Sequence, residues 1–130
     1  MPKTERRKFG DYGEKVAEHY LTSKGYEIID RNYCKPWGEI DLVAKHDEYI
    51  VFCEVKTRDS KNSTEFLPEY SINYKKIKNL NKICETYLQE KGLQNSDQQW
   101  RIDVISISID QLDKKAKINH IENAIWGKKY

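Results

Sequence analysis

Glu39-Ile-Asp-Leu-Val-Ala44 and Tyr49-Ile-Val-Phe-Cys-Glu-Val-Lys-Thr57, joined by Lys45-His-Asp-Glu48, read as two neighbouring strands. The connection has hairpin length. Both segments carry apolar residues on two faces, which predicts central positions in a covered sheet. Side chains alternate with period two, so residues 39, 41 and 43 share a face of the first strand, as Glu54 and Lys56 do in the second. The hairpin then brings Asp41 beside Glu54, with Lys56 next along. Acids on strands that read as buried are expensive unless they are paired or hold a metal. An oxygen-rich, carboxylate-dominated donor set suits magnesium or manganese rather than zinc or copper. An ion pair between Lys56 and Glu54 or Asp41 at a sheet end satisfies the same spacing, and both readings stand.

Before this hairpin, Tyr12, Val16, Ala17, Tyr20 and Leu21 recur at three- and four-residue steps, which predicts a helix over residues 9–24 with Gly25 as its stop. Glu14 lies on the side of that stripe, one turn from the helix start, where it would aim a third carboxylate at the sheet. Interaction with the positive end of the helix dipole explains the position equally well. Residues 26–33 read as a strand, turned at Lys35-Pro-Trp-Gly38. After the hairpin, residues 58–69 read as a mobile polar loop. Residues 71–91 read as a second helix buried through Ile77, Leu80, Ile83, Cys84, Tyr87 and Leu88. A linker over 92–99, a strand over 100–109 and a last short one over 115–121 complete an αβββαβ(β) order. That order predicts a mixed α/β class with one three-layer core.

Composition agrees with one domain over residues 1–130, in which residues 1–8 form a flexible basic lead. A chain of 130 residues with 38% hydrophobic side chains supports one core and needs no disulfide or metal merely to fold. No apolar run approaches the roughly 20 residues of a membrane span, and the basic start leads into no apolar segment, so neither a span nor a secretory signal is expected. The three cysteines, Cys34, Cys53 and Cys84, have no disulfide or zinc spacing, so a reduced, soluble, cytoplasmic protein is expected. The net charge of +2 implies no general preference for nucleic acid. Its distribution is uneven: six acids oppose three basic residues over 39–59, whereas five lysines oppose two acids over 71–91 and four basic residues oppose one acid over 1–8. An acidic centre between basic flanks would hold a cation beside a polyanion, though ordinary solvated surface has the same pattern.

At this point the residues carry a resemblance. Gly13-Glu14-x-x-Ala17-x-x-Tyr20-Leu21, Gly25-Tyr26-x-Ile28, Gly38-Glu-Ile-Asp-Leu-Val-Ala44 and Phe52-x-Glu54-Val-Lys56-Thr-Arg58 resemble the YraN-like family of bacterial proteins. That family is similar to archaeal Holliday-junction resolvases and to nucleases of restriction-endonuclease-like, PD-(D/E)xK fold. The resemblance covers nearly the whole chain and is strongest over residues 10–58. It implies a restriction-endonuclease-like three-layer fold with an αβββαβ core and a mixed central sheet. The implied function is a divalent-metal-dependent endonuclease acting on DNA, branched or structured DNA included. In that pattern Asp41 and Glu54 match the metal-binding acids, with the backbone carbonyl of Val55, and Lys56 matches the catalytic lysine. Glu14 matches a first-helix glutamate of the resolvase-like branch. Lys76 matches the lysine opening the second helix and, with Arg58, would contact nucleic acid; a solvated lysine fits position 76 as well. The implied cofactor is Mg2+ or Mn2+, and the implied partner is DNA rather than a membrane. A homodimer follows from the need for two sites to cut two strands.

Ile40 stands where the wider group often has proline, the loop after Arg58 lacks glycine, and Ile102 stands where the family often has phenylalanine. These departures spare the matched ligands and bear on substrate contacts. A non-catalytic nucleic-acid-binding module and a protein-partner-binding domain are the competing classes. The full Asp41–Glu54–Lys56 set favours the enzyme. Elsewhere, Asp103 is expected to pair with Arg101 or a lysine, and His120 to lie at the surface. Trp37 is expected to cover the sheet edge, with stacking on a base as the other reading.

Overall fold

The structure is a computed structural model and describes residues 3–60, 74–94 and 97–124, with the side chains of 3–6 and 74–77 outside that description. Seven elements follow in order: α1 (Lys3–Ser23), β1 (Glu27–Lys35), β2 (Gly38–His46), β3 (Tyr49–Asp59), α2 (Tyr74–Glu90), β4 (Gln99–Asp110) and β5 (Lys115–Ile121). The five strands form one mixed sheet in sequence order. Only β3 and β4 pair in parallel, and these are the two strands separated by α2, since a parallel pair needs a long crossover. Every other pairing is antiparallel.

Alternation along the inner strands produces two apolar clusters, one on each face of the sheet. Ala17 and Leu21 of α1 pack on Leu42, Val51, Cys53, Ile105 and Ile107. Leu80, Ile83, Cys84, Tyr87 and Leu88 of α2 pack on Ile40, Val43, Ile50, Phe52 and Ile102. The result is a helix–sheet–helix arrangement with β2, β3 and β4 inside it. No helix among the described residues is long and apolar enough to cross a membrane.

The hairpin and the buried stripe of α2 follow the sequence pattern, apart from Ile77, whose side chain lies outside the described residues. Several boundaries differ; β1 runs through Lys35 and β2 starts at Gly38, which leaves only Pro36-Trp37 of the expected Lys35–Gly38 turn. The helix expected from residue 9 starts at Lys3, so residues 3–8 of the expected flexible lead are helical. Glu5, Arg6, Arg7 and Lys8 are good helix formers, but with no apolar residue among them they leave no periodic signal. The β2–β3 connection shrinks to Asp47-Glu48, with Asp47 at φ 54°, because Lys45 and His46 pair with Ile50 and Tyr49. Arg58 and Asp59, expected in the loop, extend β3 through pairing with Ser108 and Ile109; residues 61–69 of that loop lie outside the described residues. Tyr12, expected in the buried stripe of α1, is 48% exposed. Gly25 ends α1 at φ 92°, and the Tyr26 N–H donates to the Leu21 carbonyl at 3.0 Å, which closes the last turn and sends the chain into β1.

Candidate active site

The β2–β3 ladder runs from His46↔Tyr49 to Leu42↔Cys53 and stops there. Beyond it β2 continues against β1 alone, through Ile40, and β3 continues against β4 alone, from Glu54 to Asp59. Asp41 and Glu54 therefore occupy the first positions past the point where the two strands part. The Val55 N–H, one residue beyond, donates to Asp41 Oδ2 at 2.8 Å. A backbone donor with no strand opposite it is thus satisfied by a side chain. The alternation of β2 also breaks here, since Ile40 and Val43 both belong to the α2-side cluster.

Asp41 is only 7% exposed. Burial, and after it the charge of Glu54, pushes its carboxyl up to about 7; the Val55 hydrogen bond offsets only part of this, and Glu14 and Glu39 add to it. Glu14 is also raised, by burial first and then by Asp11, Glu39 and Glu54. Glu14 from α1 and Asp41, Glu54 and Glu39 from the sheet thus act on one another across a single corner. Lys56 Nζ lies 3.4 Å from Glu54 Oε1. The ion-pair reading accounts for that contact, but it leaves the raised carboxyl of Asp41 unexplained. Arg58 lies two residues past Lys56 on β3, and its Nε and Nη1 are buried without a hydrogen-bond partner among the described residues. Lys76 lies within α2, but its side chain is outside the described residues.

Two contributors escaped the sequence reading. Glu39 enters the electrostatics of both Asp41 and Glu14, although its shared period-two face was a usable signal. Gly13 lets α1 approach β3: a Cβ there would meet Thr57 Oγ1 at 2.0 Å, Cγ2 at 2.8 Å and Cβ at 2.9 Å. Glu14 follows directly, so this close approach sets where the helix delivers its carboxylate. Among the described residues no three His, Cys, Asp or Glu side chains form a ready metal cluster. The residues matched to metal ligands, Asp41, Glu54 and the Val55 carbonyl, would offer oxygen donors at this fork. These are hard oxygen ligands of the kind magnesium and manganese take, and the like charges gathered around Asp41 favour a cation beyond the Lys56 ammonium that pairs with Glu54.

A second buried aspartate lies on the α1 side of β4. Asp103 accepts hydrogen bonds from Arg101 Nε at 3.0 Å and the Asn123 N–H at 2.9 Å, and its Oδ2 lies 2.7 Å from His120 Nε2. Burial would raise this carboxyl, but the bonds to His120, Arg101 and Asn123 outweigh it and hold the group below its ordinary value. The expected pairing with Arg101 is present. His120 corrects the surface expectation. Its side chain is 9% exposed, and its Nδ1 lies 2.9 Å from the Tyr20 hydroxyl. Residue 120 pairs with Ile105 in the β5 ladder and thereby reaches the α1 face, a placement that only the tertiary register reveals.

The model of the uncharacterised protein family UPF0102 matches residues 13–107. A UPF0102 protein of Alkaliphilus oremlandii is 42% identical over 118 residues, spanning 91% of this chain and 97% of the relative. One from Syntrophomonas wolfei is 44% identical over 119 residues, spanning 91% and 97%. One from Clostridium acetobutylicum is 40% identical over 118 residues, spanning 91% and 93%.

Proposed function

The chain belongs to the UPF0102 family, and from that premise and the charged fork we propose that it is a divalent-metal-dependent endonuclease of restriction-endonuclease-like fold, related to the YraN-like and resolvase-like proteins and acting on DNA. One observation carries the proposal. Asp41 is buried at the parting of β2 and β3, where burial and Glu54 hold its carboxyl near pH 7. A fold under no functional demand would relieve that position with a neutral or cationic partner. Asp41, Glu54 and the Val55 carbonyl would hold Mg2+ or Mn2+, which supplies a Lewis acid for the phosphate and lowers the pKa of water.

The remaining work falls to side chains. The Val55 N–H donates to Asp41 Oδ2 and so orients the carboxylate. Lys56, held beside Glu54, orients the attacking water and neutralises charge developing on the phosphate oxygens. Glu14, raised by burial first and then by its acidic neighbours, would hold a second metal or a metal-bound water and is suited to take up the proton that the water gives up. Arg58, Lys76 and the basic start of α1 grip phosphates and fix position rather than read sequence. Cutting both strands of a junction would take two such sites, so a homodimer belongs to this reading.

The test is a panel of branched, nicked, single-stranded and duplex DNA with magnesium or manganese. Asp41→Asn and Glu54→Gln should each lower cleavage by a thousandfold or more, on the order of 4 kcal/mol of barrier, while leaving DNA affinity within a few fold. Either variant cutting at the wild-type rate removes the assignment. DNA affinity with no metal-dependent cutting would leave a non-catalytic binding module, and no affinity at all would leave a protein-partner-binding domain.

A further inference from the structure

Beside the fork, between the β1–β2 turn and α2, lies a recess of about 270 Å³. It shares Glu54 with the proposed cutting site, and its other main walls are Trp37, Glu39, Asn79, Leu80 and Ile83. Its volume is below the roughly 300–1,000 Å³ of pockets that enclose drug-sized molecules, so it suits a single ring system. Its chemistry narrows the occupant further. Among the described residues two carboxylates and no cation line it, which favours a hydrogen-bond donor over a phosphate as its occupant. Leu80 and Ile83 give an apolar floor, Trp37 gives a planar wall that is 37% exposed, and Asn79 and Glu39 supply an amide and a carboxylate. An uncharged, flat ring with amino or imino edges meets all of these: carboxylates accept from exocyclic amines, amides pair with base edges, and indoles stack on base faces. Lys82 does not line the recess, yet its Nζ sits 4.7 Å from the Trp37 ring centroid. That puts a cation over one face of the indole, so an entering base would stack on the other.

We infer that this recess receives one unpaired nucleobase next to the scissile phosphate, so that the site selects nucleic acid containing unpaired nucleotides over continuous duplex. The inference rests on the nuclease reading for its substrate class. The physical basis of the selection is the cost of extrusion. A paired base must be unstacked and unpaired before it enters a side pocket, whereas an unpaired one enters at little cost. Gly38 keeps the recess open. A Cβ built there meets only Ile83 Cδ1, at 3.9 Å, so a larger side chain at this position would grow into the recess without pushing on the backbone.

The experiment uses a labelled duplex and the same duplex carrying three unpaired nucleotides in one strand. Binding by fluorescence anisotropy and cleavage with Mn2+ are measured in parallel for wild type, Trp37→Ala, Gly38→Val and Asp41→Asn. Wild type should bind the interrupted duplex at least tenfold more tightly than the continuous one. Trp37→Ala and Gly38→Val should each lose about tenfold on the interrupted probe, within the range of one base-stacking contact, and nothing on the continuous one. Whichever of the two keeps the wild-type unfolding temperature carries the test. Asp41→Asn should keep the preference and lose cutting. A wild type that ignores unpaired nucleotides, or pocket variants that weaken both probes equally, overturns the inference. A wild type that discriminates through Trp37 yet cuts neither probe removes the nuclease reading and upholds the base pocket.

Discussion

Asp41 in β2 and Asp103 in β4 are both buried aspartates of inner strands, 7% and 0% exposed, yet their carboxyls are held in opposite states. Around Asp103 the chain supplies Arg101, His120 and the Asn123 N–H, and the group sits below its ordinary value. Around Asp41 it supplies one backbone N–H and three further carboxylates, of which Glu54 is paired with Lys56, and burial first and these charges second raise the group to about 7. Burial of an acid is therefore no sign of function in itself. The sign is charge that the fold leaves uncompensated, because a structural site completes its partners and a site awaiting a ligand does not. The Asp103 cluster serves the fold by tying β5 and α1 to the sheet through His120 and Tyr20.

The same substitution at the two positions should give opposite signs. Asp103→Asn takes from Arg101, whose side chain is 13% exposed, its buried counter-charge and leaves it only the exposed Glu122 carboxylate at 3.2 Å. Breaking a buried pair on one side costs about 3–5 kcal/mol, so urea unfolding at pH 7 should show a loss in that range. A neutral outcome would end the structural reading of Asp103.

Asp41→Asn should instead stabilise the metal-free protein above neutral pH. The folded pKa lies above the unfolded one, so the folded state binds the proton more tightly, and the stability this confers is full below about 3.8 and lost as pH rises through about 7. At about 1.4 kcal/mol per unit, the difference is on the order of 4 kcal/mol. With chelator present, the variant should exceed wild type at pH 8 and match it near pH 4. Asp103, with its lowered pKa, contributes with the opposite slope: its stabilisation is present above its unfolded value and fades only as pH falls through its folded value. A variant curve parallel to wild type from pH 4 to 8 would mean that neither burial nor neighbouring charge raises the Asp41 carboxyl.

Gly13→Ala probes how the fork receives its third acid. Thr57 Cβ itself lies 2.9 Å from the added atom, so no rotamer change relieves the contact and α1 must move away from β3. Overpacking of this kind costs about 1–3 kcal/mol. Cleavage should fall by more than the stability loss explains, because Glu14 moves with the helix. Wild-type cutting by a folded Gly13→Ala protein would remove Glu14 from the mechanism.

What the sequence made legible follows the range of the interaction that fixes each feature. Asp41 and Glu54 were legible because they lie on two strands joined by a hairpin, so period-two arithmetic needs only local information. The buried stripe of α2 was legible because its helical period repeats over five described positions. The start of α1 was not, since residues 3–8 contain no apolar residue that could mark a helical period. His120 was misread because its partners, Asp103 and Tyr20, stand 17 and 100 residues away and meet it only through the β4–β5 register. Gly13 was visible as a motif letter, but its reason is a tertiary contact with Thr57 that no local rule contains.

The smallest expected effect separates the two aspartates most directly and needs no substrate. A divalent ion that binds the folded protein alone stabilises it by about 1.4 kcal/mol at ten times its dissociation constant. For a domain of this size that is roughly 5 °C in unfolding temperature. Manganese or magnesium titrated into wild type should therefore raise the transition progressively, since the ion relieves the repulsion between Asp41 and Glu54. Asp41→Asn removes one of the two charges and should remove the rise, while starting from a higher metal-free value. Asp103→Asn should start lower and show the same rise as wild type, because three donors already satisfy the Asp103 carboxylate and no ion is drawn to it. Comparing all three proteins with chelator and with saturating ion isolates the metal effect from general stability. If wild type is indifferent to both ions and Asp41→Asn is destabilised, Asp41 is one half of a structural pair with Lys56, the cutting site is lost, and the mixed α/β fold is all that remains of the reading.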